Sequence, residues 1–461
     1  MDSPAHELDG HKPVPKAHLL RILGVGFGVA VIFGGTIGVG ILRLPGTVAA
    51  QLGSFRLILA VWIIGGIYAL LGSISVTELA VMAPQAGGFY VYARRAFGGG
   101  AGFAVGWGDW INNCASLAYV SYAIGGYVGA LLPGLAGRDK TVALAVLGAF
   151  AVLQWMGLRF SSNVQKLTSS ATAIAFLILA GACFLYNGKA HTPHLAAANL
   201  PHDLVKSPAS LLLAMAALVT ALRAVVVAYD GWYEAIYFAE EDKNPARNLP
   251  RTMIGGVLCI ISLYLIMNLA YLHVLPIPSL AASKLPAADA AQIIFAGRSG
   301  EFITVLSLLA LLSFINSALL GAARIVFAIG RDGLFTERAA RVSAGGTPRL
   351  AMLLSAGAAM ALVATGTFER IVAMAAIIFV ANYCVCYIAL IVLRRREPHL
   401  PRPFRAWGYP WTTALLVAGS GLFLAANALS DPSSTVYAVL LLCACVPAYL
   451  FVRHRSRTGL A

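Results

Sequence analysis

Long apolar stretches separated by short polar ones run almost the whole length of the chain. Many of them last about 18 to 25 residues, which lets a helix cross roughly 30 Å of hydrocarbon, and twelve can be counted. They fall near Ile22 to Ala50, Phe55 to Met82, Gly102 to Leu132, Thr141 to Met156, Val164 to Tyr186, Ala209 to Ala239, Met253 to Leu275, Ile303 to Ile329, Leu350 to Thr365, Ile371 to Leu393, Thr412 to Leu429 and Val436 to Phe451. The pattern predicts an all-α integral membrane protein with 12 transmembrane helices.

Composition agrees. Of 461 residues, 59% are hydrophobic and 11% charged, whereas soluble domains run at about 45–50% apolar and about 25% charged. A soluble enzyme, a disordered chain and a secreted disulfide scaffold are excluded. The 7 cysteines lie mostly in apolar runs, as in CVC at Cys384 and Cys386 and CAC at Cys443 and Cys445. They read as small apolar helix residues, without metal or disulfide spacing.

The net charge of +14 marks one membrane face and not a nucleic-acid partner. Twelve spans put both termini on one side, and cytoplasmic loops collect Lys and Arg. Lys12, Lys16 and Arg21, the pair Arg94 and Arg95, Arg247 and Arg251, the loop with Arg331, Arg338, Arg341 and Arg349, the triplet Arg394 to Arg396, and Arg453 to Arg457 all share that face. Residues 1–21 and 453–461 are therefore expected as cytoplasmic tails of a plasma (inner) membrane protein. The first apolar run is too long and Gly-rich for a cleaved signal peptide.

Two spans carry a break signal in mid-membrane, where an opened backbone must face protein or a cavity. The first reads IFGGTIGVGILRLPG, with Gly34, Gly35, Gly38 and Gly40; the sixth reads VVVAYDGWYEAIYF, with Asp230 and Gly231. Each opens a set of five spans, 22–187 and 209–393, and an odd number per set inverts one relative to the other, as in inverted-repeat transporters. Spans eleven and twelve, 412–452, follow. Unwinding exposes N–H groups at the start of the outer half-helix and C=O groups at the end of the inner one. The amides of Val39, Gly40 and Ile41 can hold a carboxylate, and carbonyls near Ile37, Val227 and Asp230 can accept from an ammonium. The competing reading is that the glycines are helix-packing residues.

The stretches GTIGVGI, PQAGGFYVYARRAFG, AYDGW, EEDKNPARNLPR and NSALLGAARIVFAIGRDGLF occur in order. Together they resemble the amino acid, polyamine and organocation (APC) superfamily, nearest its LAT-like branch of amino acid permeases. The resemblance covers nearly the whole chain. It implies a LeuT-type fold, a 5+5 inverted repeat with broken helices 1 and 6 plus two C-terminal helices, with an amino acid bound at the breaks. Val39, Gly40 and Ile41 match the carboxylate-binding positions; Ile37, Val227 and Asp230 match the carbonyls that meet the amino group.

The chain departs from the family pattern in two places. Many members carry a lysine in the fifth helix where others bind sodium; aligning Val164 and Gln165 puts Thr172 there. Thr172 with Ser313 and Ser317 of the eighth span could form a sodium site with first-helix carbonyls, or all three could bond back to their own helices. Val227 stands where the LAT-like branch usually has an aromatic, leaving Tyr229, Trp232 and Tyr233 as local alternatives for capping the substrate.

Ionisable groups at membrane depth cost roughly 2.5 to 3.5 kcal/mol, so each needs a partner or a wet cavity. Arg43, Arg223, Asp109, Asp230 and Glu234 qualify. Arg43 matches an outer-gate arginine of LeuT-type transporters, with Glu369 as its candidate acidic partner. Arg43 and Arg223 either face one vestibule or reach outward to phosphate and water. Asp109 and Glu234 read either as proton carriers or as structural hydrogen-bonding groups, Asp109 with Asn112 and Asn113. Glu78 and the run Glu240, Glu241 and Asp242 read as interface charges, the run meeting Lys243, Arg247 and Arg251 in one loop.

The chain has no phosphate-binding loop ending in GK and no clustered catalytic or metal-spaced histidines. The expectation is a secondary active transporter, not an enzyme, with no cofactor beyond coupling Na+ or H+. Neutral L-amino acids are the expected substrate, and the partners are that substrate and the lipid bilayer, with no nucleic acid. Alternatives are a cationic amino acid or polyamine exchanger and a non-transporting amino acid sensor.

Overall fold

A computed structural model describes residues 19–186, 208–447 and 449–450, and the side chains of Val39 and Glu369 lie outside what it describes. Each of the twelve apolar runs overlaps a helix among the described residues. In chain order the helices are α1 (Val25–Thr36), α2 (Val39–Leu52), α3 (Phe55–Met82), α4 (Phe89–Phe97), α5 (Gly99–Leu131), α6 (Asp139–Trp155), α7 (Leu158–Leu185) and α8 (Pro208–Tyr229). They continue with α9 (Pro245–Val274), α10 (Ile277–Ala282), α11 (Pro286–Phe295), α12 (Ser299–Arg331), α13 (Arg349–Thr365), α14 (Phe368–Arg396), α15 (Trp411–Ser430) and α16 (Pro432–Cys443). Among the described residues, eight segments are long and apolar enough to cross a membrane, and α1 with α2, bent by 49°, makes up to a ninth. Helices α6, α13 and α16 are shorter, at 17, 17 and 12 residues.

The ends follow from local chemistry. Helix α2 stops at Gly53 and α13 at Gly366, both left-handed at φ 58 and 70, where glycine avoids a Cβ clash. Helices α9 and α16 start with Pro at the first positions, where the missing N–H costs nothing. Asp431 caps α16 by accepting from the Ser434 amide at 3.1 Å, and that bond, with help from Ser433, holds its carboxyl below the ordinary carboxylate range.

Helices α1, α5, α12 and the segment after α8 form the interior, and α12 buries most of its length. Large apolar side chains such as Leu167, Leu185, Leu213 and Leu429 stay exposed on the outside, the face that suits lipid. Helices α4, α10 and α11 were not anticipated. They are short segments beyond the apolar runs: α4 follows α3 on the Arg94 side, and α10 and α11 bridge α9 to α12.

Candidate substrate site at two helix breaks

Helix α1 ends at Thr36; Ile37 is extended, Gly38 has φ −133 and ψ −141, and α2 starts afresh at Val39. Helix α8 ends at Tyr229, turns through Gly231 at φ +102, and resumes as a 3-10 helix over Glu234–Glu241. The two breaks touch. A Cβ on Gly231 would lie 2.5 Å from the Gly35 carbonyl carbon and oxygen and 2.8 Å from the Thr36 nitrogen, and one on Gly40 would lie 3.3 Å from Ala228 Cα. Only glycine permits this approach of backbone to backbone. The Tyr264 hydroxyl of α9 stands 3.0 Å from the Thr36 carbonyl and 2.9 Å from that of Ala228, its single proton lying between an acceptor at each break.

The expected binding residues lie here. Ile37 and Ile41 are buried side chains, so what they can offer a ligand is backbone. Gly38 caps α2 with no side-chain hydrogen bond, leaving the first-turn amides of Val39, Gly40 and Ile41 without a helix partner. Val227 is 39% exposed, and its carbonyl accepts from the Asp230 amide at 3.3 Å. The Asp230 carboxylate is half-buried and accepts from the Tyr383 hydroxyl of α14. Tyr383 belongs to a packed aromatic group with Phe89, Trp232, Tyr233 and Phe379. Trp232 is buried among its neighbours, as befits a packing residue. Sequence reasoning missed Tyr264 and Tyr383; a lone polar aromatic inside an apolar span was the available signal.

Asp109 and Glu234 are brought close to the breaks. Asp109 accepts from the Tyr237 hydroxyl at 2.9 Å on both oxygens and from Asn113 Nδ2 at 3.3 Å, so Asn113 was the correct neighbour and Asn112 was not. Glu234 Oε2 lies 3.3 Å from Ser317 Oγ. Among the described residues, no Lys or Arg pairs with Asp109, Asp230 or Glu234.

The three hydroxyls considered for sodium part company. Thr172 donates to the Thr168 carbonyl of its own helix. Ser317 reaches the Val31 carbonyl of α1 at 3.2 Å, while Ser313 bonds Ser169 at 2.9 Å. Ser169, three residues before Thr172, donates to the Ala30 carbonyl at 2.7 Å. Gln165 Nε2 lies 3.1 Å from that same carbonyl, from Ser169 Oγ and from Ser313 Oγ. Its orientation is fixed by Asn316, whose amide donates to Gln165 Oε1 at 2.8 Å.

At the far end of α2, Arg43 is exposed and lines a 690 Å³ cavity with Tyr127, Gln292 and Thr304. Arg223 is absent from that lining and lies within electrostatic range of Asp431. The proposed partner Glu369 has its side chain outside the described residues.

Ion pairs join the segments at the opposite end. Arg324 of α12 and Glu241 are fully buried and doubly bonded, at 2.9 and 3.1 Å. Arg331 meets Glu240 at 2.6 Å, and Arg94 meets Asp332, which also accepts from Tyr90. Glu78 is buried, binding Arg394 at 2.8 Å and Arg402 at 3.2 Å. The expectation for the acidic run is thus corrected. Glu240 and Glu241 turn inward to α12 because the 3-10 segment packs on it, while Asp242 is taken by the Asn244 amide and Asn248. Glu78 is buried between Arg394 and Arg402.

A family model described as amino acid permease matches residues 28–449. The chain is 27% identical over 448 residues to the serine/threonine exchanger SteT of Bacillus subtilis, covering 95% of this chain and 98% of that protein. It is 28% identical over 402 residues to Asc-type amino acid transporter 1 of Mus musculus, covering 84% and 73%. With the mouse b(0,+)-type amino acid transporter 1 it shares 27% over 457 residues, covering 95% and 89%. The apolar helices, the paired breaks and this match over most of the chain agree: the protein is a multi-pass membrane protein and belongs to the amino acid permease family.

Proposed function

We propose that this permease carries neutral L-amino acids by alternating access, on a LeuT-type arrangement of twelve spans with both termini in the cytoplasm of a plasma-membrane protein. The observation that carries this reading is the contact of Gly231 with Gly35. It sets the uncapped amides of α2 beside the turn after α8, so that one zwitterion can put its carboxylate on Val39, Gly40 and Ile41 and its ammonium on the carbonyls and on Asp230. Helix N-termini favour anions, and an acid beside carbonyls favours an ammonium. The exposed Val227 leaves room for a small or branched side chain. The bacterial relative is a serine/threonine exchanger, which supports a neutral substrate.

The positive-inside rule puts the Arg324 and Arg331 end in the cytoplasm and Arg43 at the outer mouth. Sodium is the less favoured coupling ion, because a hard cation seeks oxygen ligands and the cluster of Ala30, Ser169 and Ser313 already surrounds the Gln165 amide nitrogen. A cationic amino acid or a polyamine is the second reading, favoured by three acids that have no basic partner among the described residues.

The test is counterflow in proteoliposomes loaded with unlabelled amino acids, following labelled L-serine and L-leucine without an ion gradient. Accumulation is expected, with neutral amino acids competing and L-arginine competing poorly; strong competition by L-arginine favours the second reading. A Gly40→Leu variant with full activity would overturn the proposed site.

A further inference from the structure

The Glu234 side chain is held between two glycines. A Cβ on Gly35 of α1 would lie 2.4 Å from Glu234 Cγ and 3.0 Å from Oε1, and one on Gly321 of α12 would lie 3.5 Å from Oε2. The carboxyl is 3% exposed and rests on the last turn of α1 before its break. Its hydrogen-bond arithmetic is informative. Ser317 Oγ stands 3.3 Å from Glu234 Oε2 and 3.2 Å from the Val31 carbonyl, yet a hydroxyl has one proton to give. If Glu234 is a carboxylic acid, its O–H donates to Ser317 Oγ, whose own O–H donates to Val31, and the chain is complete. If it is a carboxylate, two acceptors compete for one hydrogen in a dry site, an expensive arrangement.

The surroundings point the same way. Donors gather on Asp109, which Tyr237 and Asn113 serve. The groups facing Glu234 are Ser317 from α12, Asp109 from α5, Asp230 at the turn, and Tyr233 and Tyr237 on its own segment. Helix α1 offers it Gly35, without a titratable group. Arg324, three residues beyond Gly321 on α12, is engaged by Glu241. Like charges disfavour a second ionised carboxyl beside Asp109. Among the described residues no group of His, Cys, Asp or Glu could hold a metal ion, and no Lys or Arg pairs with Glu234. The cation that fits is a proton.

We propose that Glu234 carries a proton: it holds one in the state seen here and releases it to the cytoplasm when α1 leaves its contact, so that one proton enters with each amino acid. The exchange is balanced, water on one side supplying the proton and water on the other taking it. The inference rests on the permease reading above and adds the coupling ion to it.

Proteoliposomes containing the full chain, assayed with labelled L-serine, test it. An outside one pH unit more acidic should drive accumulation toward about tenfold, the ratio one proton per substrate sets, and a trapped pH dye should report lumen acidification on adding substrate. Glu234→Gln, which mimics the protonated acid, should keep counterflow and lose both. Counterflow in the wild type without accumulation or acidification overturns the proton inference and leaves the permease reading standing; absence of counterflow overturns both. If Glu234→Gln is inactive even in counterflow, Ser317→Ala decides: removing the acceptor of the acid proton should move the midpoint of the pH-rate profile, and an unmoved midpoint overturns the inference.

Discussion

Gly231 meets Gly35 backbone to backbone, close enough that a methyl group on Gly231 would fall 2.5 Å from the Gly35 carbonyl. The φ of +102 there adds strain for any L side chain. Gly231→Ala should therefore part the two breaks, cutting L-serine counterflow at least about tenfold, equivalent to about 1.4 kcal/mol, while the protein still inserts and purifies. Normal counterflow would mean that the breaks need not touch.

The Tyr264 hydroxyl lies between two carbonyls, one on each side of that contact. Replacing it by Phe removes one buried hydroxyl and the bond its single proton makes, worth about 0.5–1.5 kcal/mol. Tyr264→Phe should lower the melting temperature in detergent by a few degrees and weaken substrate affinity several-fold. A variant that melts lower but binds normally would make Tyr264 a packing residue alone.

Arg324 and Glu241 form a fully buried pair. Arg324→Ala strands a carboxylate and should cost about 3–5 kcal/mol, read as a large fall in thermal stability. The double change Arg324→Met with Glu241→Met should recover more than half of that loss. Equal losses in single and double variants would refute the account.

How much of this was legible in the sequence differs by the range of the interaction. The apolar runs and the two break signals, at Gly34 to Gly40 and at Asp230 with Gly231, were readable, because apolar run length and glycine positions are local signals. Partners across the bundle were not. Glu241 has Lys243 and Arg247 beside it in sequence, yet it chooses Arg324, which is 83 residues away. The alignment-based choice of Thr172 missed that Ser169 is the hydroxyl turned toward α1. A three-residue step along a helix preserves the face approximately, so polarity at one position cannot say which hydroxyl reaches the neighbouring helix. Arg324 itself lies inside the eighth predicted span and was the ionisable residue overlooked there.

Arg43 stands at the cavity mouth with Lys284 near the adjoining cavity. A positive mouth raises the local concentration of carboxylates, an effect that salt screens within about 10 Å at 0.1 M. Arg43→Gln should raise KM about two- to fivefold at low salt, with kcat kept and the difference shrinking as salt rises. A salt-independent change in kcat would assign Arg43 to the transport step instead.

The segment Glu234–Glu241 is a 3-10 helix of eight residues, long for that form. At about 2.0 Å per residue it reaches about 16 Å, against about 12 Å for the same residues wound as α-helix. Its inner end is stitched to the entry of α1: the Leu23 amide donates to the Glu241 carbonyl and the Lys243 amide to that of Leu23, both at 3.0 Å. Rewinding the segment would thus draw in about 4 Å of chain and haul the start of α1 along its axis. Slack stored in one half-span becomes displacement of another.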